Sequence, residues 1–322
     1  MNQIINHLLK SKNIFLATHV HPDGDAVGSL IAMGLAVEAL NKKVTLYNEN
    51  VLPAVYRFLP SINRIVQHAN AENDYDTAVI LDCGNLGRIG RLHSAIARMP
   101  VIINIDHHVT NTGFGDLQFI DTSASATAEI VYRLIRKMGL PISKDMATSI
   151  YTGILTDTGS FRFSNTSRAA FDICSELMGL GVDPYDVAQH VYGTYSLGRI
   201  KLLNLAIDSI EISENGKLSV MTLYQRMLDE TGTHSEDIDG FIHYAKRIED
   251  IKVAVLIREL SGGKSRPPDS RYHVSLRSDG TIDVSEIAAS FGGGGHFSAA
   301  GFNIDSGIAD VKKQIFKLAR VI

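Results

Sequence analysis

The chain has 322 residues, enough for two domains, and is acidic on balance, with 31 Lys and Arg against 35 Asp and Glu for a formal net charge of −4. With 45% hydrophobic and 20% charged residues it has the composition of an ordinary globular protein, which excludes a disordered tail. The acidic balance and the absence of Trp argue against a basic, stacking groove for long single strands or duplexes, and leave short or small phosphate ligands open.

Up to about residue 185, short aliphatic runs alternate with amphipathic stretches, the pattern of an α/β parallel sheet with helices on both faces. Strands are predicted at 13–20, 43–48, 77–83 and 100–106, and helices at 26–40, 124–138, 144–155 and 168–180. The stretch 186–210 has no strong breaker apart from Gly193 and Gly198 and reads as a stiff helical connector. Further strands at 217–224, 251–260 and 271–277, with helices between and after them, predict a smaller α+β domain. The domains expected are therefore 1–185, a connector at 186–210, and 211–322. Between the last two of those strands, 261–270 (SGGKSRPPDS) reads as a mobile polar loop. Cys83 and Cys174 are too few for a disulfide framework, so a reduced, cytoplasmic setting is expected. With no apolar run of membrane-spanning length and no signal-peptide pattern, no membrane partner is expected.

The chemistry gathers at strand ends. The first strand runs into THVHPDGDA, placing His19, His21, Asp23 and Asp25 at the edge where open α/β sheets bind ligands. Taken alone, Asp23 or Asp25 is equally well read as a helix cap, and His21, before Pro22, as a turn or supporting residue. The third predicted strand ends at Asp82 and the fourth at Asp106-His107-His108, while a helix carries Asp157 into a Thr/Gly turn. Each has a bland reading, but several carboxylates at one site without a counter-ion are costly, and a cation is the simplest remedy. Carboxylate oxygens mixed with imidazole, without thiolate, suit two Mn²⁺ or Mg²⁺ ions, with Asp82 placed to bridge them. Cys83 is expected to point the opposite way, into the core. Arg88 and Arg91, in the GRIGR that follows, read either as a cation near the metals or, by a small margin, as a solvated turn, and Arg162 as a cleft residue or part of a short strand. In the second domain, Gly292-Gly293-Gly294-Gly295-His296 reads as a loop whose backbone N–H groups approach an anion, since such a run contributes little to helix or sheet stability. Arg271 and Arg277 flank the RYHVSLR strand as further phosphate contacts.

With these residues in hand, the chain resembles the DHH phosphoesterase superfamily and, within it, the two-domain DHH/DHHA1 proteins that include bacterial nanoRNases also acting as pAp phosphatases. The resemblance rests on His19-x3-Asp23-x-Asp25, Asp82, Asp106-His107-His108, Asp157 and GGGGH with AAG, and spans essentially the whole chain. It implies one metal on His19, Asp23 and Asp82 and another on Asp25, Asp82, His107 and Asp157. It also implies that His108 faces the substrate phosphate as the catalytic residue, with Asp106 orienting the histidine beside it. Gly293, Gly294, Gly295, His296 and Arg271 would hold the nucleotide. The implied substrates are short RNA oligonucleotides or a nucleoside 3′,5′-bisphosphate, with a homodimer left open. Competing readings are a phosphodiesterase of pApA or c-di-AMP, a family II type pyrophosphatase, and a non-catalytic module holding RNA ends.

Overall fold

The computed structural model describes residues 1–70, 74–193, 195–260, 271–319 and 322, and divides into two units, Met1–Thr194 and Tyr195–Ile322. The first unit contains α1 (Asn2–Lys10), β1 (Asn13–Ala17), α2 (Gly24–Ala39), β2 (Lys43–Tyr47), β3 (Ile65–Val66), β4 (Thr77–Leu81) and α3 (His93–Ile96). It continues with β5 (Ile102–Asp106), β6 (Leu117–Ile120), α4 (Thr127–Lys137), α5 (Lys144–Asp157), α6 (Arg168–Gly179) and α7 (Pro184–Ala188). All neighbouring strands are parallel, in the order β3-β2-β1-β4-β5-β6. The order reverses between β1 and β4, and the crevice beyond the carboxyl ends of such a pair is where open sheets bind ligands.

Strand alternation sorts the core into two layers. Ile14, Leu16, Val79 and Leu81 face α2, α4 and α5, while Phe15, Ala17, Ala78 and Ile80 face α3 and the turn after β4. The helices on the first face lie unusually close. A Cβ on Gly28 would meet the Ser149 carbonyl oxygen at 2.3 Å, and one on Gly153 would meet the Ala128 Cβ at 2.6 Å and an Asp25 oxygen at 2.9 Å. Glycine at these two positions lets α2, α4 and α5 converge, and with them the side chains at their ends.

The second unit holds α8 (Leu197–Asp208), β7 (Glu211–Ile212), β8 (Leu218–Leu223), α9 (Gln225–Thr231), α10 (Ile242–Lys246) and β9 (Val253–Glu259). After these come β10 (Arg271–Ser278), α11 (Val284–Ser290), β11 (Gly294–His296), β12 (Ala299–Asp305) and α12 (Ile308–Leu318). Its sheet, ordered β11-β12-β10-β9-β8-β7, is mixed, with only β8 and β9 parallel. One face packs on α11 and α12 through Val255, Tyr272 and Val274, the other on α8, α9 and α10 through Met221, Leu223 and Leu256.

Several expectations are revised. The helix predicted over 186–210 is broken: α7 passes into a π-helical turn at Gln189–Gly193, and α8 starts anew where the Ser196 hydroxyl accepts from the Arg199 N–H. Three strands of the second sheet, β7, β11 and β12, lie outside the predicted set. The end of the glycine run, Gly294–His296, forms an edge strand on β12 rather than continuing as loop. A Cβ at Gly293 would meet the Gly301 carbonyl oxygen at 2.2 Å, and Gly295 would strike Ala299 and Ala300 within 2.5 Å. Close strand approach therefore accounts for two of these glycines. The predicted loop 261–270 lies outside the described residues. No described helix is long and apolar enough to cross a membrane.

Candidate metal centre

Every first-unit carboxylate and imidazole singled out as a ligand converges at the carboxyl ends of β1, β4 and β5. His19 lies two residues past β1, Asp82 one past β4, and His107 directly follows β5. Asp82 takes a left-handed backbone (φ 53°), a conformation that costs a non-glycine residue about 1–3 kcal/mol. Its N–H is tied to the Ile105 carbonyl (3.0 Å), and the Thr127 hydroxyl donates to Oδ1 (3.0 Å).

Asp25 and Asp82 are each 1% exposed. His19 Nε2 lies 3.4 Å from Asp82 Oδ2, and His107 Nε2 lies 3.7 Å from Asp82 Oδ1, 3.5 Å from Asp157 Oδ2 and 4.0 Å from Asp25 Oδ2. Donor atoms of His19, Asp23 and Asp82 fall within 4.8 Å of one another, as do those of Asp25, His107 and Asp157. A third grouping, Asp82 with His107 and His108, is equally tight. There the His108 nitrogen near Asp82 is Nδ1 (3.6 Å), which also sits 2.6 Å from Asp106 Oδ1. A carboxylate accepts, so Nδ1 carries that proton and is not free to donate to a cation.

The cap readings hold, and they leave the ligand readings open. Asp23 is the N-cap of α2, its Oδ1 accepting from the Ala26 N–H (3.0 Å). Asp25 accepts the first free N–H groups of α4, from Thr127 (2.6 Å) and Ala128 (2.8 Å), and the Ser29 hydroxyl (3.1 Å). Side-chain oxygens fixed this way are aimed before any ion arrives. His19 is held similarly, with Nδ1 2.8 Å from the Val20 carbonyl, which leaves Nε2 toward Asp82.

The electrostatics record the crowding. Burial, then the charges of Asp82, Asp157 and Asp23, raises the Asp25 carboxyl well above the usual range. Burial likewise lifts Asp157 to about 7, against the pull of His107. Burial would also raise Asp82, but the bond to His19 and the charges of His108, His19 and His107 outweigh it and hold Asp82 well below. Burial would lower His108, yet the bond to Asp106 and the charge of Asp82 lift it to about 9. Buried carboxylates that retain protons near neutrality beside imidazoles are a donor set that fits divalent cations, which would displace those protons. Because Asp157 holds its proton up to about pH 7, cation affinity is expected to weaken as pH falls from about 8 to about 6. A dissociation constant by calorimetry that stays flat over that range would contradict this.

Asp106 is fixed on both oxygens: the His107 N–H donates to Oδ1 (2.9 Å) and the Asn111 amide to Oδ2 (2.6 Å). Asn111, bonded also to Asn104 Oδ1 (2.8 Å), was missed in sequence, as was Thr127; lone Asn and Thr carry no spacing signal. Arg88 is exposed on a short turn, Leu86–Ile89. Its carbonyl accepts from the Val20 N–H beside His19 (2.7 Å), and its charge lowers the proton affinities of His19 and His108. His21 is exposed and left-handed (φ 56°), its N–H donating to Asn50. Cys83 is fully buried on the far face of the sheet. Arg162 sits on an exposed turn, not a strand, with Nε donating to the Gly159 carbonyl.

In the second unit the residues singled out separate. His296, Ala299, Arg277 and Ala254 form one row across β11, β12, β10 and β9. Arg271 stands at the other end of β10, six residues or about 20 Å away at strand rise, its Nε 3.6 Å from Asp305 Oδ1. Arg277, not Arg271, is therefore the arginine that shares a row with the glycine strand.

An acidic and imidazole cluster at a switch point, followed in the chain by an α+β unit with a glycine edge strand, defines a two-domain protein with a candidate divalent-cation centre. The DHH family N-terminal domain matches residues 13–154 and the DHHA1 domain residues 215–321. The chain belongs to the DHH family. It is 34% identical over 291 residues to the Thermus thermophilus bifunctional oligoribonuclease and PAP phosphatase NrnA, covering 89% of this chain and 83% of the relative. It is 28% identical over 308 residues to the Bacillus subtilis protein of the same name, covering 94% and 93%. Among solved structures it matches an exopolyphosphatase-related protein from Bacteroides fragilis with a TM-score of 0.89 and 27% identity, covering 98% of this chain and 96% of that one.

Proposed function

We propose that the protein hydrolyses oligoribonucleotides of a few residues to 5′ mononucleotides, and removes the 3′ phosphate of pAp, using two Mn²⁺ ions, with Mg²⁺ as the substitute. One ion would be held by His19, Asp23 and Asp82, the other by Asp25, Asp82, His107 and Asp157. The observation that carries the reading is Asp82, whose two oxygens face imidazoles from both donor sets, His19 at 3.4 Å and His107 at 3.7 Å.

When bound, the cations supply positive charge for the phosphoryl oxygens and lower the pKa of an attacking water. The chain's own residues do the rest. His108, its Nδ1–H fixed on Asp106, keeps a proton on Nε2 at neutral pH, available to neutralise phosphoryl charge and to protonate the leaving oxygen. Asp106 and Asn111 hold that ring in one orientation. Arg88 adds a cation beside His19 and His108 for a substrate with a second phosphate.

The test is hydrolysis by purified protein, with Mn²⁺ and with EDTA, of pGpG, pApA, a pentanucleotide RNA, a long single strand, pAp, c-di-AMP and pyrophosphate. Chelator-sensitive release of mononucleotides from the short RNAs, together with pAp turnover, is expected. Cleavage of pyrophosphate alone would place the chain with family II type pyrophosphatases. Absence of turnover despite bound metal would leave an RNA-end binding module.

A further inference from the structure

β5 reads IINID and is buried along its whole length, yet its centre carries an amide, Asn104, with no exposed surface. A strand buried on both faces favours aliphatic side chains, and a polar group there is costly unless its hydrogen bonds are made. Strand alternation puts Asn104 on the face of Ile102, in the layer that also holds Ala78 and Ile80. Its Nδ2 donates to the carbonyls of Ile80 (3.4 Å) and Cys83 (3.2 Å), which lie on either side of Asp82 in the chain. Its Oδ1 accepts from Asn111 Nδ2 (2.8 Å).

The direction of these bonds is fixed from one end. The Gly113 N–H donates to Asn111 Oδ1 (2.7 Å), so Asn111 turns Nδ2 to Asn104 Oδ1 and to Asp106 Oδ2 (2.6 Å), and Asn104 turns its own Nδ2 to the carbonyls. A chain of bonds therefore runs from the turn after β4 through two amides to Asp106, whose other oxygen lies 2.6 Å from His108 Nδ1. The two turns also lie against each other. The Thr112 N–H donates to the Gly84 carbonyl (2.9 Å), and a Cβ on Gly84 would stand 3.7 Å from Asn111 Cα and 3.8 Å from Asp106 Oδ2. Such a tie answers a local need: Asp82 is left-handed (φ 53°), a conformation that persists in a non-glycine residue only where its surroundings hold it. The Cys83 carbonyl, beyond the last strand residue Leu81, takes its bonds from Asn104 (3.2 Å) and Asn111 (3.4 Å).

We propose that Asn104 is a positioning residue: through Asn111 it locks the left-handed turn of Asp82 to the pair Asp106 and His108. The carboxylate shared by both donor sets and the histidine aimed at phosphate are then set as one unit. The inference rests on the two-ion reading for its effect on function, and goes beyond it by assigning a buried residue that supplies no donor atom. Groups that orient a ligand from behind are worth about 10–100-fold in metal affinity or activity, and that is the scale expected of Asn104.

The test uses the full-length protein with Asn104→Leu, which fills most of the same space and removes the amide, and with Asn111→Ala at a half-buried position. Hydrogen exchange of the metal-free protein reads the lock directly. The N–H groups of Asp82 and Thr112, bonded to the Ile105 and Gly84 carbonyls, should exchange on the order of tenfold faster in either variant, while those of β1 and β2 keep wild-type protection. In Asn104→Leu the calorimetric dissociation constant for Mn²⁺ should rise by about 10–100-fold, and kcat on a pentanucleotide at saturating Mn²⁺ should fall with KM unchanged. Exchange that quickens equally across the whole sheet, or wild-type Mn²⁺ affinity in a folded Asn104→Leu protein, would reduce the residue to a structural one and overturn the proposal. Should Asn104→Leu fail to fold, Asn111→Ala decides by the same measurements. If the wild type binds no Mn²⁺ and cleaves no RNA, the two-ion reading fails instead, and exchange at Asp82 and Thr112 in the metal-free variants still decides for or against the lock.

Discussion

Asp82→Asn is expected to abolish cation binding and turnover together. The carboxylate is 1% exposed, sits in a left-handed backbone held by the Ile105 carbonyl, and has imidazoles from both donor sets against its two oxygens. Asparagine keeps the shape and the left-handed tolerance but offers one weakly donating oxygen where two charged ones stood. Losing a group on which both ions depend should reduce kcat/KM by more than about 10³, the scale on which removal of transition-state charge stabilisation acts. Calorimetric titration of Mn²⁺ and hydrolysis of a pentanucleotide read the two losses separately. An Asp82→Asn protein that binds two ions normally, or retains a tenth of wild-type turnover, would contradict the bridging role.

His108→Ala should separate what Asp82→Asn removes together. His108 directs Nδ1 at Asp106 rather than toward a cation, so the donor sets survive its loss. What disappears is a proton held up to about pH 9, which the proposed mechanism offers to the substrate phosphate. The expected result is unchanged ion stoichiometry with kcat lowered by about 10²–10³, within the range of general acid catalysis. The pH profile adds a sign: the acid form of His108 is active, so wild-type activity should decline as pH rises past about 9, and the variant should lose that limb. Full turnover by His108→Ala would remove the histidine from the chemistry, and loss of bound metal would make it a ligand.

The sequence is legible where the physics is local. Parallel strands buried on both faces read as nearly continuous aliphatic runs, so β1, β4 and β5 stand out, while β2 (KVTLY), exposed at its start, is marked by its β-branched residues. Asp and His at their ends stand out for the same reason, as polar residues that interrupt an apolar pattern. Edge strands leave weaker traces. β6 is half-buried along LQFI, β3 has two residues, and β12 (AAGFNID) is diluted by small and polar residues. The glycine run shows its conformational cost in sequence, but its contact with β12 depends on a partner strand that sequence does not supply. The break at Gln189–Gly193 was marked by Gly193 and by the Ser196 cap, but neither outweighs helical periodicity on either side.

At the metal centre, residue types with strong chemistry were legible and their supports were not. Asp23 and Asp25 act as caps and as candidate ligands at once, so the two readings weighed against each other were never exclusive. Asn111, Thr127 and the left-handed Asp82 backbone emerge only when β4, β5 and α4 meet. The placement of Arg277 rather than Arg271 in the row of the glycine strand follows from register, which a single sequence leaves unspecified.

The central claim is that hydrolysis needs two cations at one carboxylate and imidazole centre. The most direct measurement is turnover of a pentanucleotide as Mn²⁺ is titrated into metal-stripped protein of known concentration. Activity that develops fully only as a second equivalent binds is the predicted result. Turnover in the metal-stripped protein, or turnover complete at a single equivalent, would contradict it.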